Sequence, residues 1–209
     1  MRVNYAMHHI EIKLPPPSSK GEISLEEAIA SRRSVRRYKL APLTLSQLSQ
    51  ILWSAQGVTG ARRLRAAPSA GATYPLETFV VIGKQTVGDL EAGIYHYEVN
   101  AHSLSLHLPG DLRLELARAA GHQEFIAVAP ANTVICAIYP RTCHRYGKRG
   151  ERYIYMEVGH AGENIHLQAV TLGLATVAVG AFDDEEVSRV LEIEEQIKPL
   201  YIMPLGKSL

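Results

Sequence analysis

Arg32-Arg33-Ser34-Val35-Arg36-Arg37 is the stretch on which the reading of this chain turns, with four guanidinium groups in six residues. Arg32, Ser34 and Arg36 alternate. In extended backbone, side chains at period two leave on one side, so these three would form a cup for an anion. Two guanidinium forks and a hydroxyl suit phosphate oxygens, because charge-assisted, bidentate hydrogen bonds are stronger than neutral ones and more specific in direction. A solvated basic turn accounts for the same residues without a ligand, and short arginine runs also resemble nuclear-localisation patches.

Helix signals flank the run on both sides. Ser24-Leu25-Glu26-Glu27 is a capping box, in which hydroxyl and carboxylate satisfy the orphan amides of a first helical turn. A second box, Thr44-Leu45-Ser46-Gln47, opens a helix whose apolar positions Leu45, Leu48, Ile51, Leu52 and Ala55 recur until Gly57, a C-terminal stop. Further on, Pro68 to Pro75 is a loop by composition and Leu76 to Gly83 a strand. Residues 93–108 alternate in period two about Asn100-Ala101-His102-Ser103 and read as a hairpin. A short helix from Asp111 to Ala120 precedes a buried strand at Thr133 to Tyr139, followed by a polar loop from Pro140 to Gly150. Glu151 to Leu172 is the longest helix, ~33 Å at 1.5 Å per residue. A strand at Leu174 to Val179, a helix opened by Asp183 and Glu186, and a strand at Leu200 to Leu205 complete the chain. Residues 1–22, with Pro15-Pro16-Pro17-Ser18-Ser19, are an extended arm, and residues 23–209 form one domain. Hairpins and long returns in place of regular alternation favour an α+β sandwich over a doubly wound sheet.

The whole-chain figures narrow the classes. The 209 residues are 46% hydrophobic and 21% charged, with 22 Lys+Arg against 21 Asp+Glu, a net charge of +1. Nothing here supports binding nucleic acid or a membrane by bulk charge, so any basic site is local. The longest apolar run, Leu172 to Phe182, is about half of what a spanning helix requires. Met1 to His9 has no apolar h-region, and Cys136 and Cys143 suggest no disulfide framework, so the expected setting is the cytoplasm.

Several familiar sites can be discarded. Gly206-Lys207-Ser208 has the tail of a P-loop, but Tyr201 stands where its first glycine belongs and no helix follows. No Gly-x-Gly-x-x-Gly occurs, which removes the usual dinucleotide fingerprint. Glu157-x-x-His160 and Glu163-x-x-His166 have the spacing of di-iron ligands, yet positions six apart on a helix differ by about 240°, so the pairs face different ways. Cys143-His144 lacks partners, and no metal is expected. A Gly-x-Ser-x-Gly nucleophile elbow is missing too.

With its neighbour Tyr38, the arginine run resembles the Arg-Arg-Ser-x-Arg opening of the FMN-dependent nitroreductases. Pro68-Ser69-Ala70-Gly71-Ala72-Thr73-Tyr74-Pro75, Gly159-His160-Ala161-Gly162-Glu163-Asn164 and Val179-Gly180-Ala181-Phe182-Asp183-Asp184 are similar, in order, to that family's azoline dehydrogenase branch, which matures thiazole and oxazole peptides. The resemblance runs from about Ser24 to Lys207 and implies a mainly antiparallel sheet flanked by helices. It implies that Arg32, Arg33, Ser34 and Arg36 bind FMN, with Lys207 as a further cation. Val179, Gly180 and Ala181 would bring backbone to the ring's reactive edge. Pro68, Ser69, Ala70 and Gly71 would reach the flavin from the other subunit of a homodimer. The implied activity is hydride transfer between NADH or NADPH, or an organic substrate, and a small-molecule acceptor. A flavin-binding module without turnover is the alternative. Ala72 stands where many nitroreductases have asparagine. Arg145-Tyr146 stands where the dehydrogenases have a Lys-Tyr pair. Arginine stays charged and is a poor base, which leaves Tyr146 as the candidate proton donor, or else as a phenol capping the long helix.

Overall fold

The structure is a computed structural model and describes residues 11–209. The first ten residues of the expected arm lie outside the described residues. The fold is α+β, with one seven-stranded sheet whose pairings are all antiparallel. In chain order the strands are β1 (Glu11–Lys13), β2 (Leu76–Ile82), β3 (Gly93–Glu98), β4 (Ser103–Pro109), β5 (Ala131–Ile138), β6 (Leu174–Thr176) and β7 (Ile197–Lys207), and they lie side by side as β1-β4-β3-β2-β5-β7-β6. The helices are α1 (Leu25–Ser31), α2 (Leu45–Gln56), α3 (Arg113–Ala119), α4 (Glu124–Val128), α5 (Tyr139–Tyr146), α6 (Arg149–Thr171) and α7 (Asp184–Leu191).

The sheet is buried on both faces, and the strand period decides which residue goes where. Leu76, Val80 and Ile82 of β2, Ile135 of β5 and Met203 and Leu205 of β7 share a cluster with Leu48, Ile51 and Leu52 of α2 and with Ile154, Val158, Ala161, Ile165 and Ala169 of α6. The alternate residues Phe79, Val81, Val134 and Ile202 pack with Leu116 of α3 and with Val187 and Leu191 of α7. Among the described residues no helix is long and apolar enough to cross a membrane.

Both capping boxes form. Ser24 accepts from the Glu27 amide at 3.1 Å and Thr44 from the Gln47 amide at 3.1 Å. The expected polar loop at 140–150 is instead largely helix α5, and Gly150 already belongs to α6. Pro140 occupies the first turn of α5, where no amide is needed, and Thr142 is buried beneath it. The strand expected to reach Val179 leaves the ladder at Thr176, and Val179 rejoins β7 through a lone bridge to Ile202. Within the arm, β1 pairs with β4 and Leu14 is buried.

After α1 the chain runs extended along the end of the sheet. Ser34 bridges Thr176, the Val35 amide donates to the Thr176 carbonyl at 2.9 Å, and Tyr38 bridges Ser208. Tyr38 lies on Gly206, where a Cβ would come within 2.6 Å of the ring's Cγ. Gly206→Ala should therefore force the tyrosine off β7, with a loss of about 1–3 kcal/mol in urea unfolding. On the sheet, His96 stands between Glu77 at 2.7 Å and Glu98 at 2.8 Å. Burial alone would lower its pKa, but hydrogen bonds and charge from the two carboxylates outweigh that and raise it. The contribution is therefore complete below the ordinary value of 6.5 and is lost as pH rises through the raised one. Comparing His96→Gln with the parent by urea unfolding should show a stability gap of about 1 kcal/mol at pH 6 that closes in alkaline solution.

Candidate functional site

The run carrying Arg32, Ser34 and Arg36 is extended, as the alternation expects, and backbone pairing holds it so. Backbone bonds on either side of Ser34 tie the run to β6, while the Lys39 amide donates to the Lys207 carbonyl at 3.0 Å. That places Arg32, Ser34 and Arg36 beside the end of β7 that carries Lys207. Ser34 and Arg36 are exposed, and Arg32 meets only Glu163 of α6, at 3.9 Å. The Arg36 guanidinium lies 5.9 Å from the centre of the Phe125 ring. Arg33 is turned elsewhere, since its guanidinium donates to the carbonyls of Ala30 at 3.0 Å and Arg32 at 2.7 Å and closes the end of α1. Val179, Gly180 and Ala181 continue from the end of β6, with Val179 anchored to Ile202 by two bonds of 2.9 and 3.0 Å. Gly180 and Ala181 are exposed, and a Cβ on Gly180 would meet only the Tyr201 ring, at 3.6 Å.

The second group of expected residues sits elsewhere. Pro68, Ser69, Ala70 and Gly71 form a tight loop with Gly71 at φ +60°, a left-handed conformation that suits glycine. Helix α5 clamps this loop. Arg145 donates to the Gly71 carbonyl at 3.2 Å, Arg141 to the Tyr74 carbonyl at 3.1 Å, and Thr142 meets Thr73 at 2.8 Å. Tyr146, at the end of α5, packs edge-on against Tyr153 of α6, and a Cβ at Gly71 would collide with its hydroxyl. Tyr146 thus belongs to a helix and faces the loop.

Both groups lie against α6, but at different places. The loop lies against Glu157 and the cup against Glu163. Six helical residues separate these positions by about 9 Å along the axis and about 240° around it. One chain therefore holds the two groups of expected residues apart. The same rotation separates the two Glu-x-x-His pairs, leaving Glu157 and His166 buried and His160 and Glu163 exposed. No group of three or more His, Cys, Asp or Glu able to hold a metal occurs among the described residues.

Sequence reasoning passed over two buried groups. Burial raises Glu157 to about 7, against the pull of the Ser69 hydroxyl and the Arg65 charge. Arg65 itself lies 4.5 Å over the Tyr74 ring and donates to Gln56 at 3.0 Å. Burial, reinforced by the charge of Arg32, lowers His166 to about 4, so it is neutral at physiological pH. Each was visible only as half of a spacing motif, because a helix sequence does not show which of its polar residues is covered.

Comparison with known proteins agrees with this architecture. The Nitroreductase family profile matches residues 29–207. A presumed nitroreductase of Methanocaldococcus jannaschii is 48% identical over 200 residues, covering 96% of this chain and 98% of that protein. The microcin B17-processing protein McbC of Escherichia coli is 25% identical over 193 residues, covering 90% and 70%. The crystal structure of a presumed nitroreductase from Ralstonia eutropha superimposes with a TM-score of 0.84 at 28% identity, covering 95% of this chain and 90% of that one. The chain belongs to the nitroreductase family and is an oxidoreductase.

Proposed function

We propose that this chain is a homodimeric, FMN-dependent oxidoreductase that moves a hydride between NADH or NADPH, or an organic substrate, and a small-molecule acceptor. The observation that carries the cofactor reading is the cup. Arg36 and Lys207 have no acidic partner among the described residues, Arg32 has one at 3.9 Å, and exposed Ser34 is bridged through its backbone to Thr176, whose hydroxyl is buried without a hydrogen bond. Such a set fits a phosphate and the hydroxylated chain next to it. FMN, when bound, supplies the two-electron chemistry.

Arg32, Ser34, Arg36 and Lys207 hold the phosphate and its neighbouring polar groups in this reading. Arg33 contributes by keeping the end of α1 in place. Gly180, with Val179 and Ala181, offers bare backbone where a flat ring can approach closely. Pro68, Ser69, Ala70 and Gly71 of the second copy cover the site and exclude water, and Tyr146 beside Gly71 is placed to donate a proton. The separation of the two groups on α6, as half-sites that a second copy would join, supports the dimeric reading, and so do Tyr155 and Met156 on that helix, 53% and 52% exposed. Unpaired Cys136 and Cys143 accord with a reducing cytoplasm.

The purified protein is expected to be yellow. Arg36→Ala should weaken FMN binding about 10- to 100-fold in fluorescence titrations. A colourless protein that takes up no added FMN rules the cofactor out, while bound flavin that neither NADH nor NADPH nor any organic donor bleaches favours a binder without turnover. Mixing Arg32→Ala with Gly71→Val subunits, each inactive alone, should restore about a quarter of the wild-type sites if each site takes a cup from one subunit and a loop from the other. No recovery after subunit exchange would place both halves in one chain.

A further inference from the structure

Glu157 is 2% exposed, and its Oε1 has no hydrogen-bond partner among the described residues. An ionised carboxylate held this way is costly, whereas a neutral carboxyl tolerates the position better. One polar group connects it with the outside. Ser69 Oγ accepts the Tyr74 amide at 2.9 Å, which leaves its own hydrogen free to donate, and it is the hydroxyl that acts on the Glu157 carboxyl. Ser69 is half-buried, on a loop whose neighbours Pro68 and Gly71 are exposed. The charged group facing Glu157 from the segment after α2 is Arg65, fixed between Gln56 and Tyr74. Beyond Arg65 stand Glu77 of β2 and Arg141 of α5, which neutralise each other at 2.6 Å. Ser69, from the loop, is the remaining group that acts on the carboxyl.

We propose that Glu157 stores a proton for the reaction and delivers it through the Ser69 hydroxyl to a basic substrate atom bound over the loop. The inference rests on the oxidoreductase site proposed above. In the step, the Glu157 O–H bond breaks as a new O–H forms on Ser69, and the original Ser69 proton passes to the substrate atom, whose lone pair accepts it. Glu157 is left as a carboxylate facing Arg65. The reverse path through Ser69 restores its proton from solvent when the site opens. Burial holds the carboxyl near half-protonation at neutral pH, about 7, which suits a group that must both give and regain a proton. The metal-like spacing of Glu157 and His160 is incidental in this reading, because His160 faces solvent.

Infrared difference titration of the intact protein tests the store without requiring flavin. A neutral-carboxyl carbonyl band should disappear with a midpoint of about 7 and be absent from Glu157→Gln. A band lost near the ordinary value of 4.5, or one that persists in Glu157→Gln, overturns the proposal. In FMN-loaded protein, the half-reaction that protonates the acceptor should slow about tenfold per pH unit above neutrality. Glu157→Gln should be roughly 100-fold slower and flat with pH, while FMN affinity stays within about twofold. Ser69→Ala should lose the same rate but keep the carboxyl band, and Glu157→Asp should recover part of the pH profile. A Ser69→Ala enzyme with wild-type rate and pH profile overturns the relay, including where Glu157→Gln fails to fold. A protein that binds no flavin yet shows the band refutes the cofactor reading and leaves the buried acid established.

Discussion

Helix α6 can lie on this sheet in only one rotational setting. Ile154, Val158, Ala161, Ile165 and Ala169 form its buried apolar stripe, spaced four, three, four and four residues apart, and turning the helix back by one residue would put Glu157, His160, Asn164 and Gln168 against β6 and β7. That setting distributes every other role around the cylinder. Glu157 is brought to the loop, Glu163 to the arginine cup, and Tyr155 and Met156 to the outside. Gly162 permits the fit, because its Cα faces the Tyr201 ring, which a Cβ would approach to 3.3 Å. The polar residues of α6 are thus positioned by hydrophobic packing that involves none of them.

The second determinant is the end of the sheet. Hydrogen bonds from the β6 and β7 backbones hold the arginine run extended, so guanidinium groups that would repel one another in a compact turn are spread along a ribbon. In a chain of near-neutral charge this run is a local concentration of positive charge, four arginines in six residues. The loop at 68–71 has a different kind of support, from α5 arginines bonded to its carbonyls. One half-site is therefore rigid through backbone pairing and the other through side-chain clamps.

Much of this could be read from the chain. Caps at Ser24, Thr44 and Asp183 place helix starts because a side-chain oxygen that bonds an N3 amide leaves a local pattern. The double-sided burial of β2 and β5 shows in their apolar stretches, residues 79–82 and 134–138. Helix α5 escaped because its eight residues carry a proline, an arginine pair and a histidine, a composition shared with loops, and its stability comes from the residues it covers. Helix α4 has five residues and no capping side chain. At the site, the alternation of Arg32, Ser34 and Arg36 was legible because strand period is a local property, whereas the turning away of Arg33 follows from where α1 happens to end. Glu157 was opaque for a related reason: its burial is set by the loop folded over it, eighty-odd residues earlier in the chain.

The sheet's two outermost strands among the described residues are both three residues long. β1 carries Glu11 and Lys13, and the chain at Ser34 and Val35 already covers the backbone of Thr176 on β6. A fold whose margins are this short, charged or occupied offers little template for strand addition, so neither fibril-like growth nor edge-to-edge pairing is an easy outcome when copies meet. Contact between copies is left to the helical faces rather than to the sheet edges.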